Sequence, residues 1–208
     1  DIIECSNEKY IDTKIDTIVM IVQNKQCGTV NKNILEIGKY TIFNTVSKIS
    51  ELSNLTRNTT NLCSLNFKVG VGNIVWNEHK PILSDNPSDT ILVYSGDIKN
   101  NRYEKVIYKN PEKKNYIKMD GELGELIVIN RGYGTGKYTF NYCILDIDKE
   151  YLIENHLIYI KKEENSAISY GDILSSFRDP RTVLFIQSYF GNNAINTTEL
   201  LNILPIYV

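Results

Sequence analysis

The feature that most constrains this chain is the alternation of apolar runs and turns from Glu125 to Lys162, ELIVINRGYGTGKYTFNYCILDIDKEYLIENHLIYIKK. Leu126 to Ile129 is a short β-branched run, Tyr138 to Leu145 a second extended one and Tyr151 to Ile160 a third, with turn residues between them. Such a pattern predicts a meander of strands. Between the first two runs, Arg131-Gly132-Tyr133-Gly134-Thr135-Gly136-Lys137 carries three glycines. The loop can therefore take backbone angles other residues avoid, while Arg131, Tyr133 and Lys137 project from it. A basic and aromatic finger of this kind suits a polyanion.

A chain of 208 residues, 42% hydrophobic, can bury a real core as one large domain or two small ones. Its 23 Lys and Arg against 25 Asp and Glu give a net charge of -2, so any surface for nucleic acid has to be local. Cys5, Cys27, Cys63 and Cys143 form no CxxC pair and follow no secretory signal. That argues against a zinc site or a disulfide framework and for reduced thiols in the cytoplasm. No apolar run reaches the length needed to span a bilayer, so no membrane is expected. The chain opens on Asp1 without an initiator methionine, and the expectation is a piece of something longer.

Ile15 to Val22 is nearly continuous apolar sequence, of the kind found in strands buried on both faces of a sheet. Cys27 to Asn44 reads as a polar connector with strand-like pieces, and Thr45 to Leu55 spaces Val46, Ile49, Leu52 and Leu55 along one helical face. Asn61 to Lys80 holds the Gly70 and Gly72 pair and the single tryptophan, and a strand is predicted at Thr90 to Tyr94. The charged stretch from Lys99 to Lys118 suits a solvated hairpin or long surface loop. Gly171 to Phe190 predicts two helical pieces, the second capped by Asp179 with Pro180 in its first turn. Asn196 can cap a last helix with Glu199 bonding back, Leu200, Leu201 and Leu204 as its apolar face and Pro205 as its stop.

Neither Gly70-x-Gly72 nor Gly132-x-Gly134-x-Gly136 sits between a strand and a helix, so a nucleotide-binding loop is disfavoured against a tight turn. Asp120, Glu122 and Glu125 could suggest a metal-dependent nuclease, but their spacing across Gly121 and Gly124 reads as a turn. His156, within an apolar run, reads as a hydrogen-bonded packing residue.

Four segments in order carry a resemblance: YIDTKIDTIVMIVQNK, NFKVGVGNIVWNEHK, INRGYGTGKYTFNYCI with YLIENHLIYI, and GNNAINTTELLNILPI. Together they resemble the target recognition domain of adenine-specific DNA methyltransferases of restriction-modification systems, especially the Eco57I- and TaqI-like enzymes. The first segment is similar to the last strand of the catalytic domain in that family. The resemblance implies that residues 1–26 are a terminal strand remnant of a methyltransferase catalytic domain, and 27–208 a linker and DNA target recognition domain. The family's Asn- or Asp-Pro-Pro-aromatic motif and its Gly-rich S-adenosylmethionine loop are not in this sequence. Catalysis and S-adenosylmethionine are thus expected in the N-terminal domain of a parent adenine-specific methyltransferase or fused restriction-modification enzyme, with double-stranded DNA gripped and read here.

The implied fold is α+β, a twisted mainly antiparallel sheet with C-terminal helices. Expected DNA-binding residues are Lys68, Asn73, Trp76 and Lys80 from the opening segment, Arg131, Tyr133, Lys137 and Tyr138 from the finger, and Asn192, Asn193 and Asn196 from the last segment. Arg and Lys attract phosphate and can bond guanine, Asn can bond adenine bidentately, and aromatic rings can pack on sugar or base. The competing reading is a β-rich binding or structural module, such as a phage or viral surface protein, using Tyr-rich loops on glycan or protein. Salt separates the two, since duplex affinity collapses as salt rises.

Overall fold

The computed structural model describes residues 1–5, 18–22, 31–132, 138–190 and 194–208. In chain order its elements are β1 (Ile2–Glu4), β2 (Ile18–Met20), β3 (Ile34–Ile37), β4 (Tyr40–Phe43), α1 (Val46–Leu55), β5 (Phe67–Val71), β6 (Leu83–Ser84), β7 (Thr90–Val93), β8 (Ile98–Lys99), β9 (Arg102–Tyr103), β10 (Tyr116–Ile117), β11 (Leu126–Asn130), β12 (Tyr142–Leu145), β13 (Tyr151–Ile153), β14 (Leu157–Lys162), α2 (Tyr170–Arg178), α3 (Pro180–Phe185) and α4 (Thr197–Asn202). The fold is α+β, with mainly antiparallel sheets and helices gathered toward the C-terminus.

Two four-stranded sheets organise it. The first has the order β12-β11-β14-β5, antiparallel throughout, and the second the order β13-β7-β10-β6, parallel only where β13 meets β7. β11 lies between two cores: Ile127 and Ile129 pack toward the helices with Phe177, Phe185 and Leu200, whereas Leu126 and Val128 pack toward the second sheet with Val93 and Ile153. A strand covered on both faces needs apolar side chains at every position, which is why this run does not alternate. A third cluster, Ile74, Leu92, Tyr94, Ile117 and Leu152, covers the far face of the second sheet.

The expected meander is corrected by the third run, which is two strands in two sheets. Tyr151–Ile153 pairs parallel with β7, while Leu157–Lys162 pairs with β11 and β5, leaving β12 at an edge. The chain changes sheet at Glu154-Asn155-His156, where Glu154 N–H donates to Val93 O and Asn155 N–H to Ile74 O. The run Ile15 to Val22 is also corrected: residues 15–17 lie outside the described residues, and in 18–22 β2 pairs, among the described residues, with β1 alone and stays exposed, as does Val22 beyond it at 80% accessible. Of Cys27 to Asn44, read as a connector with strand-like pieces, the described part 31–44 includes the β3–β4 hairpin.

α1 buries Ile49 and Leu52 as the spacing predicts, though Val46 is exposed. At the C-terminus Asp179 accepts from Arg181 N–H at 2.8 Å with Pro180 in the first turn of α3, which runs on into a π-helical turn at Ile186–Phe190. Asn196 accepts from Glu199 N–H at 2.9 Å at the start of α4.

Candidate nucleic-acid interface

One end of the first sheet gathers segments that are far apart in sequence. The register pairs Asn130 with Leu157, Val71 with Ile158 and Ile129 with Tyr142, so the chain leaves β11 at Arg131 and β5 at Gly72-Asn73 on the same rim where it enters β14 from His156. Main-chain bonds tie this rim together. Arg131 N–H donates to His156 O at 3.1 Å, and Arg131 O accepts from Ile195 N–H at 3.1 Å. Gly132 has φ +88°, and a methyl there would lie 2.7 Å from the Tyr138 ring and 3.3 Å from Ala194 Cα. Only glycine combines that backbone angle with so close an approach. The segments on either side of residues 133–137, and the one after 191–193, are therefore held against each other.

The side chains of Asn73, Arg131 and His156 are exposed on this rim. His156 is the residue whose sequence reading needs correction: it sits in the turn between β13 and β14, not inside a strand. Glu154, 2% exposed, holds it, with Oε2 accepting from His156 N–H at 3.1 Å and Oε1 2.5 Å from Nδ1. The ring is thus oriented by a buried carboxylate at the edge of the surface that carries Arg131. Burial of the neighbouring apolar residues masked this role in the sequence, and the Glu-Asn-His turn chemistry was its only signal.

The other expected contacts are distributed as follows. Tyr133, Lys137, Asn192 and Asn193 lie outside the described residues. Tyr138 is not a free loop side chain: it is half-buried, its hydroxyl donates to Asn130 O at 2.8 Å, and burial holds the phenol above its usual pKa. Asn196 is likewise engaged, as the α4 cap, with its amide nitrogen bonded to the Glu199 carboxylate. Lys68 is at the opposite end of β5, ion-paired to Glu163 at 2.5 Å. Trp76 is half-buried against the third cluster, and Lys80 lies 5.8 Å from its ring while pairing with Glu112 at 2.8 Å. The chain leaves β5 toward Asn73 and β11 at Arg131 on one rim with β14 between them, while Asn73 also lines a pocket with Lys68, Glu122 and Lys161. Arg131, Trp76 and Lys80 do not line that pocket.

Gly70 and Gly72 are accounted for by packing. A methyl on Gly70 would enter the Tyr159 ring, and one on Gly72 would lie 2.7 Å from the Glu154 carbonyl carbon. β5 runs into a loop and not a helix, so the pair does not fit the dinucleotide or S-adenosylmethionine cradle that a glycine-rich strand-to-helix turn would make. Glu122 pairs with Lys161 at 2.7 Å, and among the described residues no group of three His, Cys, Asp or Glu is arranged to hold a metal. Among the same residues no helix is long and apolar enough to cross a membrane.

A second polar cluster lies beneath the β8–β9 hairpin. Asp97 is fully buried and accepts from Tyr94 N–H at 2.8 Å, Val106 N–H at 3.0 Å and Tyr108 O–H at 2.9 Å. Lys113 Nζ stands 4.1 Å from the centroids of both Tyr94 and Tyr108. Burial lowers the Lys113 pKa, against the attraction of Glu154 and Asp97. The stretch from Lys99 to Lys118, read as solvated surface, is in part packed down by this cation–aromatic contact.

No family model matches the chain, and no curated protein matches it.

Proposed function

We propose that this chain reads double-stranded DNA in a sequence-specific manner, as the target recognition domain of an adenine-specific methyltransferase whose catalytic part lies in a separate N-terminal domain. The observation that supports it most is the convergence on one rim of Arg131, the His156 turn and the Ala194-Ile195 segment, joined by main-chain bonds. A net charge of -2 places the weight on such local groups. The planar fork of Arg131 matches the two major-groove acceptors of guanine, and Asn73 offers the donor and acceptor that suit adenine. The apolar residues of β1 and β2, including Ile3 and Ile18 at 51% and 46% exposure, favour an adjoining domain that covers them.

Selection from a randomised duplex library tests the reading. The chain is expected to enrich one motif, and Arg131→Ala to relax it at a single position by about 1–3 kcal/mol. No enrichment by the unaltered chain refutes it. Weaker binding with an unchanged motif would make Arg131 a backbone contact and move base reading to other residues of the rim.

A further inference from the structure

The β8–β9 hairpin carries an arrangement that its own fold does not explain. Asn100 and Asn101 have φ of 49° and 59°, the paired positive angles of a two-residue turn that suits a tight hairpin. Lys99 and Arg102 flank this turn as directly opposed partners. Ile98, 2% exposed, and the half-buried Tyr103 form the neighbouring pair on the inner face, so Lys99 and Arg102 share the outer face and both are exposed. Directly opposed side chains have Cβ atoms about 4.5–5.5 Å apart, and like charges in that position destabilise a hairpin.

Among the described residues neither cation forms an ion pair that would offset this. Among the described residues Lys48, Lys68, Lys80, Lys114, Lys161 and Arg181 each form an ion pair, and Lys99 and Arg102 form none. The hairpin is also fixed in place. At its base Asp97 O accepts from Glu104 N–H at 2.8 Å while the Asp97 carboxylate accepts from Val106 N–H, and at its tip Asn101 Oδ1 accepts from Tyr142 N–H at 3.1 Å. Tyr142 opens β12 opposite Ile129, two residues before Arg131. The two cations are therefore held beside the Arg131 rim.

We infer that the Lys99–Arg102 pair is a phosphate clamp for the duplex whose bases the Arg131 rim reads. The inference rests on the DNA reading above and adds a holding site to it. A duplex strand carries one charge per about 3.4 Å of axis, so neighbouring phosphates can each take one of two cations spaced as these are. The repulsion between the two side chains is then relieved in the complex. Both groups meet only the backbone, so they add affinity and no sequence preference.

The test measures anisotropy of a labelled duplex with the 208-residue chain across a salt series. Each lost phosphate contact removes about 0.9 from the log-log slope of affinity against salt. Lys99→Gln with Arg102→Gln should reduce the slope by about 1.8 and weaken binding roughly 60-fold at 0.1 M salt, with the selected motif unchanged. The exchange Lys99→Arg with Arg102→Lys should keep the slope. Lys99→Glu should raise the melting temperature, because the opposed pair becomes attractive, while lowering duplex affinity. An unchanged slope in the double Gln variant, with duplex binding by the unaltered chain intact, overturns the clamp and leaves the DNA reading standing. A melting temperature lowered by Lys99→Glu overturns the like-charge argument. No salt-sensitive duplex binding by the unaltered chain removes both the reading and the clamp.

Discussion

Replacing Asp97 with alanine is expected to cost the fold roughly 3–5 kcal/mol. The carboxylate accepts three hydrogen bonds, from Tyr94 N–H, Val106 N–H and Tyr108 O–H, at full burial. Bonds to a charged group are worth about 1.5–3 kcal/mol each, which sets the upper bound. Part of that is offset by desolvation of the carboxylate itself: burial raises its pKa, against the lowering by its three donors and Lys113. What remains is dominated by stranded donors, since alanine leaves two backbone N–H groups and a phenol without their acceptor. A loss of this size is a large share of the total stability of a typical domain, about 5–15 kcal/mol. Urea unfolding at constant slope reads it as a shift in midpoint. Asp97→Asn, which keeps an acceptor for Val106 and Tyr108 but turns a donor toward Tyr94, should fall between the two. A loss below about 1 kcal/mol for Asp97→Ala would refute the view that this carboxylate holds the base of the β8–β9 hairpin.

Three further outcomes follow from the packing and the titrating groups. Gly72→Ala should lower stability by about 1–3 kcal/mol or more, because the methyl meets the Glu154 backbone and not a movable side chain; thermal melting would contradict this by showing no change. Burial pushes the Cys143 thiol up to about 12 and leaves it 3% exposed, so at pH 8 iodoacetamide should modify the exposed Cys63 long before Cys143, as followed by peptide mapping. Because burial raises the Asp97 pKa, the pH-dependent part of its contribution to stability is fully present below the ordinary carboxylate value and is lost as pH rises through its folded value. Asp97→Asn should therefore flatten the decline in stability between the ordinary carboxylate value and the raised folded value, and an unaltered decline there would show that another group is responsible.

The sequence disclosed the parts of the fold governed by local rules. The caps at Asp179 and Asn196 depend on one side chain and the next turn of backbone, and both form where the residues indicate. β11 was visible because burial on both faces forces an unbroken apolar run. What local pattern could not supply was partnership. Tyr151 to Ile160 reads as one strand, yet the switch at Glu154 sends its halves to different sheets, and that depends on Val93 and Ile74, about 60 to 80 residues away. The same limit applies to the site. Arg131 is apparent as a candidate from its position beside a glycine, whereas the His156 turn requires knowing that its run breaks, and the lack of an ion pair at Lys99 and Arg102 among the described residues requires knowing the tertiary neighbours of the hairpin. Tyr138 and Asn196, expected among the DNA contacts, are instead engaged by main-chain groups, Tyr138 with Asn130 O and Asn196 with Glu199 N–H at the start of α4.

The most direct test of duplex recognition is the affinity of this chain for double-stranded DNA as a function of salt. With about four to six phosphate contacts, the log-log slope is expected to be about -4 to -5. An affinity independent of salt, or no binding to any duplex at low salt, would contradict DNA recognition and favour a surface that binds glycan or protein.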